Sequence, residues 1–191
     1  MNGHSIVEKV IEFEIPEYFS SDLIDCDDFI TKWDLSNIKL FHDVKNDRVV
    51  FPIKSKGRII DAVGRSLNPK SLPKWYKYGN NLSYYAYGLD ITNKSTAVVV
   101  EDAISAIAVA NYFPVIGFAL LGTSLNQQQM LSLSNFSRVV IALDPDASSK
   151  SLEHGRELSN YVEEVKVLKL VDDLKYKNLD DFIKLKELLD G

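Results

Sequence analysis

The sequence has one cysteine, Cys26, and three histidines, His4, His42 and His154, with no metal-ligand spacing among them. No disulfide can close within the chain, and no zinc ribbon or zinc finger can be assembled from it, so no zinc is expected. Also lacking is any apolar run near the roughly 20 residues that a membrane helix needs, so no membrane association is expected. Glu8, Glu12, Glu14 and Glu17 occupy the stretch where a signal peptide would carry a basic start and an apolar core, and a cytoplasmic location is therefore expected. There is no internal repeat, no low-complexity tract and no Gly-x-x-x-x-Gly-Lys-Ser/Thr phosphate loop, which excludes a helicase motor within these residues. What is present is an ordinary globular composition: 191 residues, 46% hydrophobic and 26% charged, enough for one or two compact domains.

The net charge of -5 conceals three blocks of different sign. Residues 1–47 carry 4 basic and 11 acidic side chains, residues 48–96 carry 9 and 2, and residues 97–191 carry 9 and 14. A basic block between two acidic ones is the footprint expected where one face follows a phosphate backbone or a triphosphate and another holds metal ions. Charge alone leaves a solvated basic surface equally open.

Hydrophobic periodicity divides the chain in the same places. Residues 1–47 form an acidic lead-in with helix-like patches at Ile6–Phe13 and Asp27–Trp33, broken at Pro16. In it Phe29, Ile30, Trp33, Leu35 and Phe41 are expected to be packing groups. Residues 48–94 form a small basic subdomain of mixed α+β type. It begins with two strands across 48–65, joined by a turn at Ser55–Gly57, and continues as loop to about Gly79. Residues 95–191 alternate strands with amphipathic helices, the pattern of a mainly parallel sheet with crossover helices on both faces. The strands are expected at Thr96–Val100, Val115–Leu120, Val139–Leu143 and Val165–Leu170. The helices are expected at Ala103–Tyr112, Asn126–Ser134, Ser149–Val162 and Leu179–Leu189, with Ser124 or Asn126, and Asp146 or Ser148, as N-caps.

Ligands of open parallel sheets gather outside the carboxyl ends of the strands. Glu101 follows Val98-Val99-Val100 there, and Asp144-Pro145-Asp146 follows Val139-Val140-Ile141-Ala142-Leu143. Three carboxylates at one sheet edge repel each other unless a cation neutralises them, and hard oxygen donors select Mg2+ or Mn2+. Spacing alone equally allows these acids and Asp102 to serve as helix caps.

Taken in order, Val98-Val99-Val100-Glu101, Leu121-Gly122-Thr123-Ser124 and Ala142-Leu143-Asp144-Pro145-Asp146-Ala147 resemble the Toprim domain, and within it the catalytic core of bacterial-type DNA primases, bacteriophage ones included. The upstream Arg48-Val49-Val50-Phe51-Pro52-Ile53, Gly57-Arg58, Gly64-Arg65, Pro73-Lys74-Trp75-Tyr76 and Tyr85-Ala86-Tyr87-Gly88-Leu89 are similar to the basic subdomain that precedes Toprim in primases. The resemblance spans about residues 48–183 and lies in the ordered set, since a lone Asp-x-Asp is weak.

The resemblance implies a Toprim fold and metal-dependent nucleotidyl transfer, making short RNA primers on a single-stranded DNA template from ribonucleoside triphosphates. Glu101 takes the place of the family's glutamate for proton transfer or metal binding, and Asp144 and Asp146 that of its metal pair. Asp180, in Lys177-Asn178-Leu179-Asp180-Asp181, matches a further metal-binding acid. The chain departs from the family at Asn178 and at Ser105, where acids are usual, and at Asp102, where glycine is usual; Asp102 is a candidate to make up for Ser105. In the basic block Arg48, Arg65, Lys74 and Lys77 are candidates for phosphate contacts, and Trp75, Tyr76 and Tyr78 for base stacking or, equally, core packing. Gly122-Thr123-Ser124 is taken as a tight turn. Zinc-domain and helicase functions are expected in trans, from a separate zinc-binding template-recognition protein and a replicative helicase. Two other readings stay open: a Toprim nuclease using the same acids, and a non-catalytic nucleic-acid-binding replisome accessory protein.

Overall fold

The computed structural model describes residues 12–79, 84–88 and 96–191. They fall into two compact units. Residues 12–27 and 38–79 belong to one, and residues 28–37, 84–88 and 96–191 to the other.

The first unit is a five-stranded antiparallel sheet in chain order, β1 (Phe19–Ser20), β2 (Phe41–Asp43), β3 (Arg48–Ser55), β4 (Arg58–Ser66) and β5 (Trp75–Lys77). The β3–β4 hairpin forms where β-branched residues flank a polar break. It turns through Lys56 and Gly57, both at positive φ (48° and 78°), a conformation glycine adopts without strain. One face carries an aromatic core in which Phe19, Val50 and Ala62 pack with Phe13, Tyr18, Phe41 and Tyr78. Gly64 leaves room for the Tyr78 ring, because a Cβ there would lie 2.9 Å from its Cε2. The Tyr78 hydroxyl donates to Asp43, whose carboxylate also accepts from the Lys45 and Asn46 N–H groups and the Asn46 side chain, so this buried acid is satisfied.

Two expectations for this region are corrected. The lead-in holds strands β1 and β2 rather than helix alone, and the stretch leading to Gly79, expected as loop, contains β5. The patch expected at Ile6–Phe13 falls largely outside the described residues, while the one at Asp27–Trp33 is helix α1 (Asp27–Trp33). Of the expected packing groups, Leu35 is fully buried and Phe41 joins the aromatic core.

The second unit holds a five-stranded sheet in the order β10-β9-β7-β8-β6, from β6 (Tyr85–Tyr87), β7 (Thr96–Val100), β8 (Ile116–Ala119), β9 (Arg138–Ile141) and β10 (Glu164–Val167). β7 to β10 run parallel and β6 is antiparallel to β8. The connecting helices are α2 (Ala103–Tyr112), α3 (Gln127–Leu133), α4 (Ser148–Leu158) and α5 (Leu179–Asp190). α2 is not amphipathic: Ala103 to Val109 are all buried, and all but Ser105 are apolar. Gly117 of β8 permits its close approach, since a Cβ there would collide with the Ala106 carbonyl. α3 begins with a capping box between Asn126 and Gln129, the second of the two expected caps. α4 has Ala147 at its N-cap with no side-chain bond, so neither Asp146 nor Ser148 caps it as expected. Val99, Phe118, Leu133, Ile141, Leu143 and Leu158 anchor the core around the sheet.

Candidate active site

The chain leaves β7 for β8 on one side, then returns to β9 on the other side of β7. The β7/β9 boundary is therefore the point where strand order reverses, the place at which such sheets open a crevice. Glu101 follows β7 directly, and Asp144 follows β9 by three residues, after Ala142 N–H has bonded to the Val99 carbonyl at 2.8 Å.

The Asp144 backbone amide lies near the Glu101 carboxylate and favours its charged form. The Glu101 backbone is held in turn by the loop after β8, where Gly122 N–H donates to its carbonyl at 3.2 Å. That loop turns through positive φ at Leu121 and Gly122, and its Thr123 carbonyl accepts from the buried His154 Nε2 at 2.7 Å, which fixes that nitrogen as the donor. Gly122-Thr123-Ser124 thus positions Glu101, in keeping with a tight turn.

Burial, then the nearby Asp146 charge, pushes the Glu101 carboxyl up to about 7, with Asp173 and Asp102 adding to the effect. Burial and the Glu101 charge likewise push Asp144 well above the carboxylate range, so the pair titrates jointly near and above neutrality. Glu101 Oε1 is buried and reached by no protein donor. Asp144 makes no side-chain cap bond, whereas Asp102 does cap α2, accepting from Ser105 N–H at 2.9 Å. Helix capping accounts for Asp102 and not for Asp144.

Lys175, Asp173 and Asp181 were not singled out by the sequence reading. The Lys175 ammonium lies 2.8 Å from Asp102 Oδ2 and 2.6 Å from Asp173 Oδ2. Burial acts to lower its pKa, and the two carboxylates outweigh that and hold it above its ordinary value. Both Asp102 oxygens are therefore engaged, one by the cap and one by Lys175, so Asp102 is not free to make up for the acid missing at Ser105. Asp181, fully buried, accepts from the Val171 and Asp172 N–H groups and clamps the turn before α5. Asn178, where an acid is usual in the family, caps α5 by accepting from the N–H groups of Asp180 and Asp181.

Among the described residues no three His, Cys, Asp or Glu side chains stand together as a ready-made metal cage. Glu101, Asp144 and Asp146 are electrostatic neighbours rather than a preassembled triad. Asp180 is exposed on the first turn of α5 and is not among the charges acting on Glu101 or Asp144. By donor type the group still suits a hard divalent ion: carboxylate oxygens, one of them orphaned, with the two acids held toward neutrality by burial and neighbouring carboxylates.

The basic candidates separate into two sets in the other unit. Register places Arg65 opposite Trp75, and Val63 opposite Lys77, so Arg65, Trp75 and Lys77 share one sheet face. The Arg65 guanidinium lies 5.4 Å from the Trp75 ring centroid. Tyr76 points to the opposite face, between the Tyr78 ring and the Arg48 guanidinium, 5.7 Å from its own ring. Arg48 is buried and donates to the Pro73 and Lys74 carbonyls, while the Lys74 side chain is exposed. Trp75 and Tyr76 therefore cannot stack on bases at one and the same face.

This fold is similar to that of solved DNA primase catalytic cores. Solved structures similar to this chain include primases of Aquifex aeolicus (zinc-binding and RNA polymerase domains) and Pseudomonas aeruginosa (a primase domain). For the first the identity is 23% and the TM-score 0.59, covering 90% of this chain and 50% of that one. For the second the values are 21% and 0.58, with 87% and 63% covered. A DnaG primase catalytic domain bound to single-stranded DNA matches at 21% identity and a TM-score of 0.57, over 87% of this chain and 59% of that one. This chain thus spans about half to two thirds of the length of the chains it matches. No family model matches the sequence, and no curated protein matches it. Among the described residues no helix is long and apolar enough to cross a membrane.

Proposed function

We propose that this chain is a primase-like polymerase core with a Toprim-type site, which joins ribonucleotides on a single-stranded DNA template by metal-dependent nucleotidyl transfer. The observation that carries the reading is the meeting of Glu101 and Asp144 at the β7/β9 switch point, both held toward neutrality chiefly by burial, Glu101 further by the Asp146 charge and Asp144 by that of Glu101. Glu101 and Asp144, with Asp146, would hold Mg2+ or Mn2+; the bound ion supplies charge to activate a primer 3'-hydroxyl and to neutralise leaving pyrophosphate. Glu101 Oε1, which no protein donor reaches, is the oxygen available to take a proton from that hydroxyl. Asp180 is left outside this set. Arg65 and Lys77, with Trp75 directly opposite Arg65 in the register, provide phosphate contacts and a stacking surface on one face; Lys74 adds charge just before β5. The similarity to a DnaG primase catalytic domain bound to single-stranded DNA supports that template.

The test is incorporation of labelled ribonucleotides on single-stranded DNA with Mg2+ or Mn2+, with and without a replicative helicase and a zinc-binding template-recognition protein. RNA made by the wild type and lost in both Glu101→Gln and Asp144→Asn is the expected result. Shortened DNA identifies a nuclease, and retarded but unchanged DNA a binding role; either outcome overturns the polymerase reading.

A further inference from the structure

The Lys175 side chain is 8% exposed, and that of its partner Asp102 9%. A lysine so placed is a fixed point charge, and its two carboxylate partners belong to the same acidic cluster as Glu101 and Asp144, on which both act electrostatically. Lys175 acts on Asp144 in the opposite sense. The cluster therefore has two poles. At one, Asp102 and Asp173 are neutralised by an ammonium of the protein itself, and Asp102 has its second oxygen taken by the Ser105 N–H. At the other, Glu101, Asp144 and the exposed Asp146 make no ion pair among the described residues, and Glu101 Oε1 has no hydrogen-bond partner among them.

We propose that Lys175 is a built-in cation of the carboxylate site, standing where a second metal ion would otherwise sit, so that the chain takes one divalent cation and not two. The proposal rests on the reading that Glu101 and Asp144 hold a divalent ion. A second ion would have to displace a buried, doubly paired ammonium and would leave it without compensation. The position is set by local backbone: Lys175 lies on the short 3-10 turn Leu174–Tyr176, which is closed by Lys177 in the left-handed region at φ 56°. That turn aims the side chain back across the chain to Asp102, 73 residues earlier.

The experiment counts Mn2+ bound to the full chain at pH 8, by calorimetric titration and by the electron paramagnetic resonance signal of free Mn2+. Wild type and Lys175→Arg, which keeps the charge, should bind one ion per chain, and Lys175→Met should bind two. Two ions on wild type, or one on Lys175→Met, overturns the proposal and leaves the metal reading standing. No ion on wild type overturns the metal reading and the proposal with it. Circular dichroism of Lys175→Met with and without Mn2+ covers the case of misfolding. A fold restored by Mn2+ supports the built-in cation, and one that Mn2+ cannot restore overturns it.

Discussion

Replacing Glu101 by Gln should stabilise the metal-free protein while abolishing nucleotidyl transfer. A carboxyl moved from 4.5 to about 7 prefers its neutral form by about 3 kcal/mol at pH well above 7. Because the group is only half-buried, solvent screening reduces this to about 1–2 kcal/mol. The folded value lies above the unfolded one. The charge therefore costs nothing below about pH 4.5, costs progressively more as pH rises, and costs its full amount above about pH 7. Wild type loses that stability across the window, and Glu101→Gln, which cannot ionise, does not lose this share. For a chain of this length, 1–2 kcal/mol is roughly 2–8 °C in Tm. The assay is thermal unfolding in EDTA at pH 5 and pH 8, followed at 222 nm. Since α2 to α5 all lie in the second unit, the signal reports chiefly on the unit that holds Glu101. A higher Tm for the variant at pH 8 and a smaller difference at pH 5 are expected. Equal or lower Tm at pH 8 would refute the claim that the ionised Glu101 is uncompensated.

Three further outcomes follow from the packing and the basic face. Asp181→Ala removes the acceptor of the Val171 and Asp172 N–H groups from a fully buried position and should cost about 2–3 kcal/mol in urea denaturation. Gly117→Ala drives a Cβ into the Ala106 carbonyl of α2 and should cost about 1–3 kcal/mol or more, or yield insoluble protein. Arg65→Ala should weaken single-stranded DNA binding and lower the slope of log K against log salt by about 0.7, while Arg48→Ala, whose guanidinium is tied to the Pro73 and Lys74 carbonyls, should chiefly lower stability. Equal salt slopes for wild type and Arg65→Ala would remove Arg65 from the interface.

The long elements were legible because each carries enough residues to show a period. The β3–β4 hairpin and the strands and helices from Thr96 onward were expected within a few residues of where they lie. What escaped the pattern is short: β1, β2 and β5 have two or three residues each, too few to display alternation. Their pairing is set by neighbours. β2 is drawn into the sheet through Phe41 opposite Val50, and β5 through Trp75 opposite Arg65. The same pairing decided the fate of Trp75 and Tyr76, because adjacent residues that look equivalent in a loop point to opposite faces in a strand.

At the site, Glu101 and Asp144 could be picked out because their position at strand ends is a local property. Asp102 and Lys175 could not be judged that way. Asp102 stands beside Glu101 and has the same chemistry. Whether it offers an oxygen to a ligand depends on the Ser105 N–H three residues ahead and on an ammonium 73 residues away. Lys175 lies in a run with Lys177 that reads as a solvated surface, and only the 3-10 turn buries one and leaves the other to close the turn. The charge balance of the cluster is thus a tertiary quantity. The same five acids without Lys175 would need more cation from solution, and with it the unneutralised charge is confined to Glu101, Asp144 and Asp146.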